Sequence, residues 1–438
     1  MNTLIKQVSL AIAFGMFCFT VSIAAGLSTE EQAMVAWIDE HAEDSIDLLE
    51  EIVNIGSGTM NPVGIREVGD VLRREMDSLG LETKWIEQPA DLRRGDHLVG
   101  RNRGTHGKKM VLIGHLDTVF ESTDEFQAFS REGNVGRGPG IEDMKSGDVV
   151  IIYALKALHE IGALDDAQIV VFYTGDEEKP GRPLSLSRKD LIEAGKWANI
   201  GLGFESAMTF DGSDWATIAR RSAGEWRLEV TGKQAHSSGV FSEEVGAGAI
   251  NEAARIIAAF YDEVRGEEHL TFNAGTIQGG TDVEYDFAQN RGTTFGKTNV
   301  VPRKVIVHGG IRTISIEQQE RAKEAMRAVV ARHLPLTDAS ITFDDGYPPM
   351  SPTEGNVRLQ EKYSRINEAL GRGPMPALDP LKRGAADVSF VAPYTDALAG
   401  LGALGKGGHT PDESLELDSM SLAIKRAAIL IYRLSNEN

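Results

Sequence analysis

Two apolar runs in the first half of the chain break off into acidic and histidine-bearing turns. The run Val111-Leu112-Ile113-Gly114 leads into His115 and Asp117, and Val170-Val171-Phe172-Tyr173-Thr174 leads into Gly175-Asp176-Glu177-Glu178. Unbroken apolar runs of this length read as strands buried on both faces, which belong to a parallel sheet covered by helices. The ends of such strands are where loops converge on a ligand crevice. Between the two runs lies the glycine-rich GPGIEDMKSG, which carries Asp143 just before an expected helix. Carboxylates and imidazoles gathered at such ends suggest a metal site.

The rest of the chain fits that frame. Ser28 and Glu31 have capping-box spacing and open a long amphipathic helix expected to end near Gly56. Asn61-Pro62 opens a second helix stopped by Gly80. Strands are expected at 83–87, 97–101, 110–115, 168–174 and 200–205. A hairpin is expected within 126–137, with helices at 146–161 and 189–194. After Asp214 the order becomes strand–helix–strand twice, with strands at 225–231, 270–278, 305–313 and 340–344 and helices at 245–261 and 316–333. That is the split βαβ signature of a small two-layer, ferredoxin-like domain. The first pattern returns with a helix at 356–370, a short helix near Asp387, a strand at 398–404 and a closing helix at 419–434. The fold class is therefore α/β, a mostly parallel sheet with helices on both faces, interrupted by an α+β insertion. The divisions are 1–25, 26–215, 216–347 and 348–438.

Residues 1–25 read as a secretory signal, with Lys6 as the positive region, an apolar stretch from Val8 to Ile23 and small residues around Ala24-Ala25. The alternative is an uncleaved anchor, the only expected membrane contact. Cleavage would remove Cys18, the only cysteine, so the mature chain could form no disulfide and use no thiolate. This points to a periplasmic or secreted protein. The net charge of −20 excludes the basic surface that nucleic acid requires.

Five residues form a candidate ligand set: His115, Asp143, Glu178, Glu205 and His409. Two imidazoles and three carboxylates suit two divalent metals bridged by one carboxylate, with zinc favoured and cobalt or manganese admissible. Each has an ordinary structural alternative: an N-cap for Asp143, a solvated turn for the acidic run, a plain loop histidine for His409. The spacing of His115 and Asp117 lets the aspartate carboxylate approach the imidazole and fix its tautomer.

The ordered set HLDTV, GPGIEDMKSG, GDEE, GFES, AHSSG, NVVP and GGHTPDE resembles the co-catalytic zinc peptidases of the aminoacylase and glutamate carboxypeptidase type. The likeness is nearest to the glutamate carboxypeptidase branch in GHLDTVF, LTFNAGTIQGG and DDGYPPMSPTEGN. The resemblance implies that His115, Asp143 and Glu205 hold one zinc, and Asp143, Glu178 and His409 the other. It implies Glu177 as general base and Asp117 as the residue orienting His115. It further implies that the insertion forms a homodimer, that His236 reaches the partner's site to steady the oxyanion, and that Asn299 and Arg312 contact the substrate carboxylate. The expected substrate is a small peptide or N-acyl amino acid with a free C-terminal carboxylate, such as one ending in glutamate. A deacylase, an aminopeptidase or a catalytically silent binding member are the alternatives. Two departures from the family pattern, Gly310 and Arg383, fall in segments expected to face substrate.

Overall fold

The computed structural model describes residues 26–437; the segment read as a signal, 1–25, lies outside the described residues. Among the described residues no helix is long and apolar enough to cross a membrane.

The central sheet has six strands in the order Glu82–Ile86, His97–Arg103, Ala167–Thr174, His106–His115, Ile200–Gly203, Asp396–Leu398. The His97–Arg103 strand is antiparallel to both its neighbours, and the remaining pairings are parallel. The sheet is thus the mostly parallel one expected. Successive side chains of a strand point to opposite faces, and here both faces are core. Met110, Leu112, Ile169 and Val171 pack with the helices Ser146–Glu160 and Asp418–Ser435. Val111, Ile113, Val170 and Phe172 pack on the other side with Leu191 of the Lys189–Trp197 helix and with Val391. Continuous apolarity in these two runs follows from burial on both sides.

Residues 223–347 carry a second, antiparallel sheet in the order Thr271–Gly280, Lys304–Arg312, Ala223–Gly232, Thr337–Tyr347. With two helices, Ala249–Glu263 and Ile316–Val330, it encloses its own core around Trp226, Leu228, Phe260 and Met326. The chain order and sheet order are those of the two-layer split βαβ arrangement. Alternation in the Ala223–Gly232 strand is regular, with Trp226, Leu228 and Val230 buried and Glu225 and Glu229 exposed.

Three expectations are corrected. The long first helix is two helices, Thr29–Glu40 and Ala42–Val53. The break is at His41, whose amide and ring Nδ1 both take the Trp37 carbonyl while the ring stacks on Trp37. The strand expected at 398–404 is Asp396–Leu398, because Gly400 turns the chain with φ +73°. A hairpin, Asp282–Asp286 with Arg291–Phe295, was not expected; its second strand is wholly exposed, so it carries no buried pattern to read. The capping box of Ser28 and Glu31 and the cap by Asn61 of the Pro62–Ser78 helix are both present.

Candidate metal centre

His115 is the last residue of its strand and pairs in register with Thr174, the last residue of the neighbouring one. The turn 175–178 therefore leaves the sheet beside His115, and Glu205 follows two residues after the adjoining Ile200–Gly203 strand. This is the carboxyl edge of the parallel strands, where ligands bind in open α/β sheets. Asp143 arrives from an irregular turn that opens at Gly140, φ +72°. Close approach then requires Gly147, where a Cβ would lie 1.9 Å from the Phe204 carbonyl oxygen.

Asp143 stands between the two histidines. Its Oδ1 is 3.2 Å from His115 Nε2, and its Oδ2 is 3.2 Å from His409 Nε2. His409 Nε2 is also 3.2 Å from Glu178 Oε2. His115, Asp143 and Glu178 each offer a ligand atom within 4.8 Å of the others. Glu178 Oε1 is buried with no hydrogen-bond partner. One carboxylate shared between two imidazoles, beside an orphaned carboxylate oxygen, is a donor set that fits a divalent cation.

The electrostatics agree. Burial opposes ionisation of Asp143, yet hydrogen bonds from His115 and His409 hold it below the usual carboxylate range. Hydrogen bonds to Asp143 and Glu178 carry His409 up to about 11. Burial pushes Glu177 well above its ordinary value, with Asp387, Glu205 and Glu178 adding repulsion against the pull of His115. Burial likewise raises Glu178 against its bond to His409. A cation among these acids would favour their charged forms.

Asp117 orients the site differently from the expectation. His115 Nδ1 donates to the Asp117 backbone carbonyl at 2.9 Å, while the nearer carboxylate oxygen is 3.6 Å away. The bond still fixes the tautomer, leaving Nε2 as the nitrogen facing Asp143. The Asp117 carboxylate instead accepts the amides of Glu177 at 2.8 Å and Glu178 at 3.1 Å, and the Thr59 hydroxyl at 2.6 Å. It therefore pins the acidic turn to the histidine strand.

Glu205 faces two arginines: Arg220 Nη2 lies 2.5 Å and Arg383 Nη2 3.6 Å from its Oε2. Arg220 is buried and was not singled out from sequence. The segment that begins at Arg383 was expected to face substrate; the Arg383 side chain itself packs on Glu205 and donates to the Ser206 carbonyl at 3.1 Å. Burial and the charge of Arg220 push it down to about 10.

Three further partners escaped the sequence reading. Glu413 accepts the amides of Gly140, Glu142 and Asp143 at 3.2, 2.8 and 3.0 Å, so it holds the turn that presents Asp143. Its only sequence signal is an acid four residues after His409. Tyr347 Oη donates to the Glu177 carbonyl at 2.9 Å. Arg188, fully buried, donates to Asp176 at 2.5 Å, to Asp387 at 2.7 Å and to Tyr347 at 2.9 Å. Asp387 also accepts the Thr174 hydroxyl.

A recess of about 500 Å³ opens beside these groups, lined by Glu177, Glu178, His409, Gly310, Arg312 and Tyr347 among others. Arg312 thus lies on the same opening as Glu177. His236 and Asn299 do not line it. They sit together elsewhere on the insertion, where the Ser237 amide bonds the Asn299 carbonyl and both side chains' residues are exposed.

The peptidase family M20/M25/M40 model matches residues 111–433. The chain is 28% identical over 398 residues to carboxypeptidase G2 of Pseudomonas sp. (strain RS-16), covering 89% of each. It is 24% identical over 304 residues to a succinyl-diaminopimelate desuccinylase of Ralstonia nicotianae, covering 66% of this chain and 74% of the relative. Among solved structures, a tripeptidase from Staphylococcus aureus superposes with a TM-score of 0.67 at 19% identity, covering 90% of this chain and 99% of that one. The metal-fitting donor set at the sheet's carboxyl edge and the match across most of the chain agree: this protein is a metallopeptidase of family M20/M25/M40.

Proposed function

We propose that the protein is an exported, dinuclear zinc exopeptidase that cleaves the amide next to a free C-terminal carboxylate, releasing an amino acid such as glutamate. The observation that carries this reading is Asp143 divided between His115 and His409 on one side of a recess that holds Glu177 and Arg312. Similarity to a carboxypeptidase over 89% of both chains supports the substrate polarity.

In this reading His115, Asp143 and Glu205 hold one metal and Asp143, Glu178 and His409 the other. Bound there, divalent zinc would supply Lewis-acid polarisation of the scissile carbonyl and a lowered pKa for the attacking water. Glu177, with its raised affinity for a proton, takes one from that water and passes it to the leaving nitrogen. Arg312 receives the substrate carboxylate through its planar fork. For Glu205 to serve as ligand it must share its carboxylate between metal and Arg220, and the second oxygen makes that feasible.

His236 and Asn299 act in the partner's recess in this reading, consistent with their place together on an exposed part of the insertion, residues 216–347. The free edge strand Thr271–Gly280 offers a surface for pairing with a second copy. Activity per subunit should therefore fall on dilution below the dimer dissociation constant. A monomer with full activity, measured by sedimentation and assay at the same concentrations, would remove the role in trans.

The deciding experiment is hydrolysis by the zinc-loaded mature protein of amides ending in glutamate, aspartate, leucine, phenylalanine or a blocked carboxylate, beside substrates with only a free amine. Cleavage is expected to require the free carboxylate, to favour glutamate and to stop with chelator. Equal cleavage of the blocked carboxylate would sink the reading. A deacylase acting on an N-acyl amino acid, as similarity to the desuccinylase would suggest, shares the carboxylate requirement and differs in the acyl side.

A further inference from the structure

His409 also lines a second recess, whose walls otherwise share no residue with the one that holds Arg312. It has a volume of about 580 Å³ and is walled by Val119, Phe120, Phe126 and Pro411, with Asp124 and Glu125 also lining it. Phe120 and Phe126 meet edge to face, ring centres 5.1 Å apart at 64°. The loop that carries them is braced: Asp124 accepts the Glu121 amide at 2.7 Å, Gln127 donates to the Glu121 carbonyl at 2.8 Å, and Glu121 accepts the Met60 amide at 3.2 Å. The Thr118 amide in turn bonds the Ser57 carbonyl. The aromatic wall is therefore preorganised.

Since His409 stands at the junction of this recess with the one holding Arg312 and Glu177, an amide at the metal centre with its carboxylate towards Arg312 has its acyl side towards Phe120 and Phe126. We infer that this recess is the acyl-side subsite and that it selects an apolar aminoacyl group carrying a free ammonium. Two aromatic rings favour an apolar side chain and attract a cation over their faces. Two carboxylates on the same wall favour positive charge and repel negative charge. The inference rests on the carboxylate-side reading above. It makes the preferred substrate a dipeptide with an apolar first residue, unlike an N-succinyl compound, whose acyl group is anionic.

The test is three amides of glutamate that differ at one carbon: phenylalanyl-glutamate, 3-phenylpropanoyl-glutamate and benzylmalonyl-glutamate, with ammonium, hydrogen and carboxylate respectively. With the zinc-loaded protein, kcat/KM is expected to fall in that order, by about two- to fivefold per step, the size of exposed charge contacts. The first step should shrink as salt is raised. Glu125→Gln should narrow the series. Phe126→Ala should lower the ratio of phenylalanyl- to glycyl-glutamate by about tenfold, with turnover of the glycyl compound reporting that the variant is folded. Equal rates across the charge series, or an anionic acyl group preferred, overturns the inference while leaving the carboxylate-side reading in place. If another C-terminal residue proves better than glutamate, the same acyl series is run on it. Hydrolysis that needs the amine but not the carboxylate overturns both.

Discussion

Glu177→Gln is expected to lower kcat by ~10²–10⁴, the usual range for removing a positioned acid–base group, with metal content unchanged. The backbone of Glu177 is fixed at both ends of the residue, its amide on Asp117 Oδ1 and its carbonyl on the Tyr347 hydroxyl. The side chain is thereby committed to the recess shared with His409 and Arg312. Burial and surrounding acids raise its proton affinity, and a cation beside them would lower it again. Glutamine keeps the volume and a hydrogen-bonding oxygen but cannot carry the proton. Atomic emission should find the same metal per subunit as in the parent, and the melting temperature should hold. Turnover within a few-fold of the parent would end the assignment of Glu177 as base.

Arg188→Ala is expected to destabilise the protein by ~3–5 kcal/mol, the cost of leaving buried charge without its partner. Arg188 and Asp176 are fully buried and Asp387 nearly so, and the guanidinium is the cation both acids contact. Removing it strands two carboxylates beside the Thr174 strand end and unties Tyr347 from the same group. Arg188→Lys should recover part of the loss, since an ammonium keeps the charge but cannot reach Asp176, Asp387 and Tyr347 with one planar fork. Urea unfolding of the purified variants measures this directly. A loss below about 1 kcal/mol for the alanine variant would mean that the acids protonate or hydrate at no cost.

The same residues explain what could and could not be read from the chain alone. Apolar runs at 111–114 and 170–174 were legible because burial on both faces leaves continuous apolarity. That His115, Asp143, Glu178 and His409 come together was legible from the ordered set of motifs rather than from any one of them, since each alone has an ordinary structural reading. Their supports were not. Glu413, Tyr347 and Arg220 act through partners more than a dozen residues away, and no local spacing marks such a contact. Asp117 was legible as a partner of His115, but which of its oxygens takes the ring was decided by the amides of Glu177 and Glu178, which claim the carboxylate. The Arg383 segment was noticed as a departure, and Gly384 and Ala385 do line the recess, but that the Arg383 side chain turns back to Glu205 was not legible. The helix break at His41 depends on one ring folding over Trp37, which periodicity cannot register.

Glu413 bears on how the centre comes into being. The turn that presents Asp143 takes its three-amide brace from a residue 271 positions beyond Glu142. At a synthesis rate of ~5–20 residues per second, Glu413 is made on the order of tens of seconds after the turn it braces. During that interval the Ala223–Tyr347 region, with a core of its own, can collapse by itself. The chain up to residue 205 already carries His115, Asp143, Glu178 and Glu205, but neither His409 nor Glu413. An arrangement that includes His409, with the Asp143 turn braced by Glu413, is therefore complete only once the stretch 405–413 has joined the amino-terminal part.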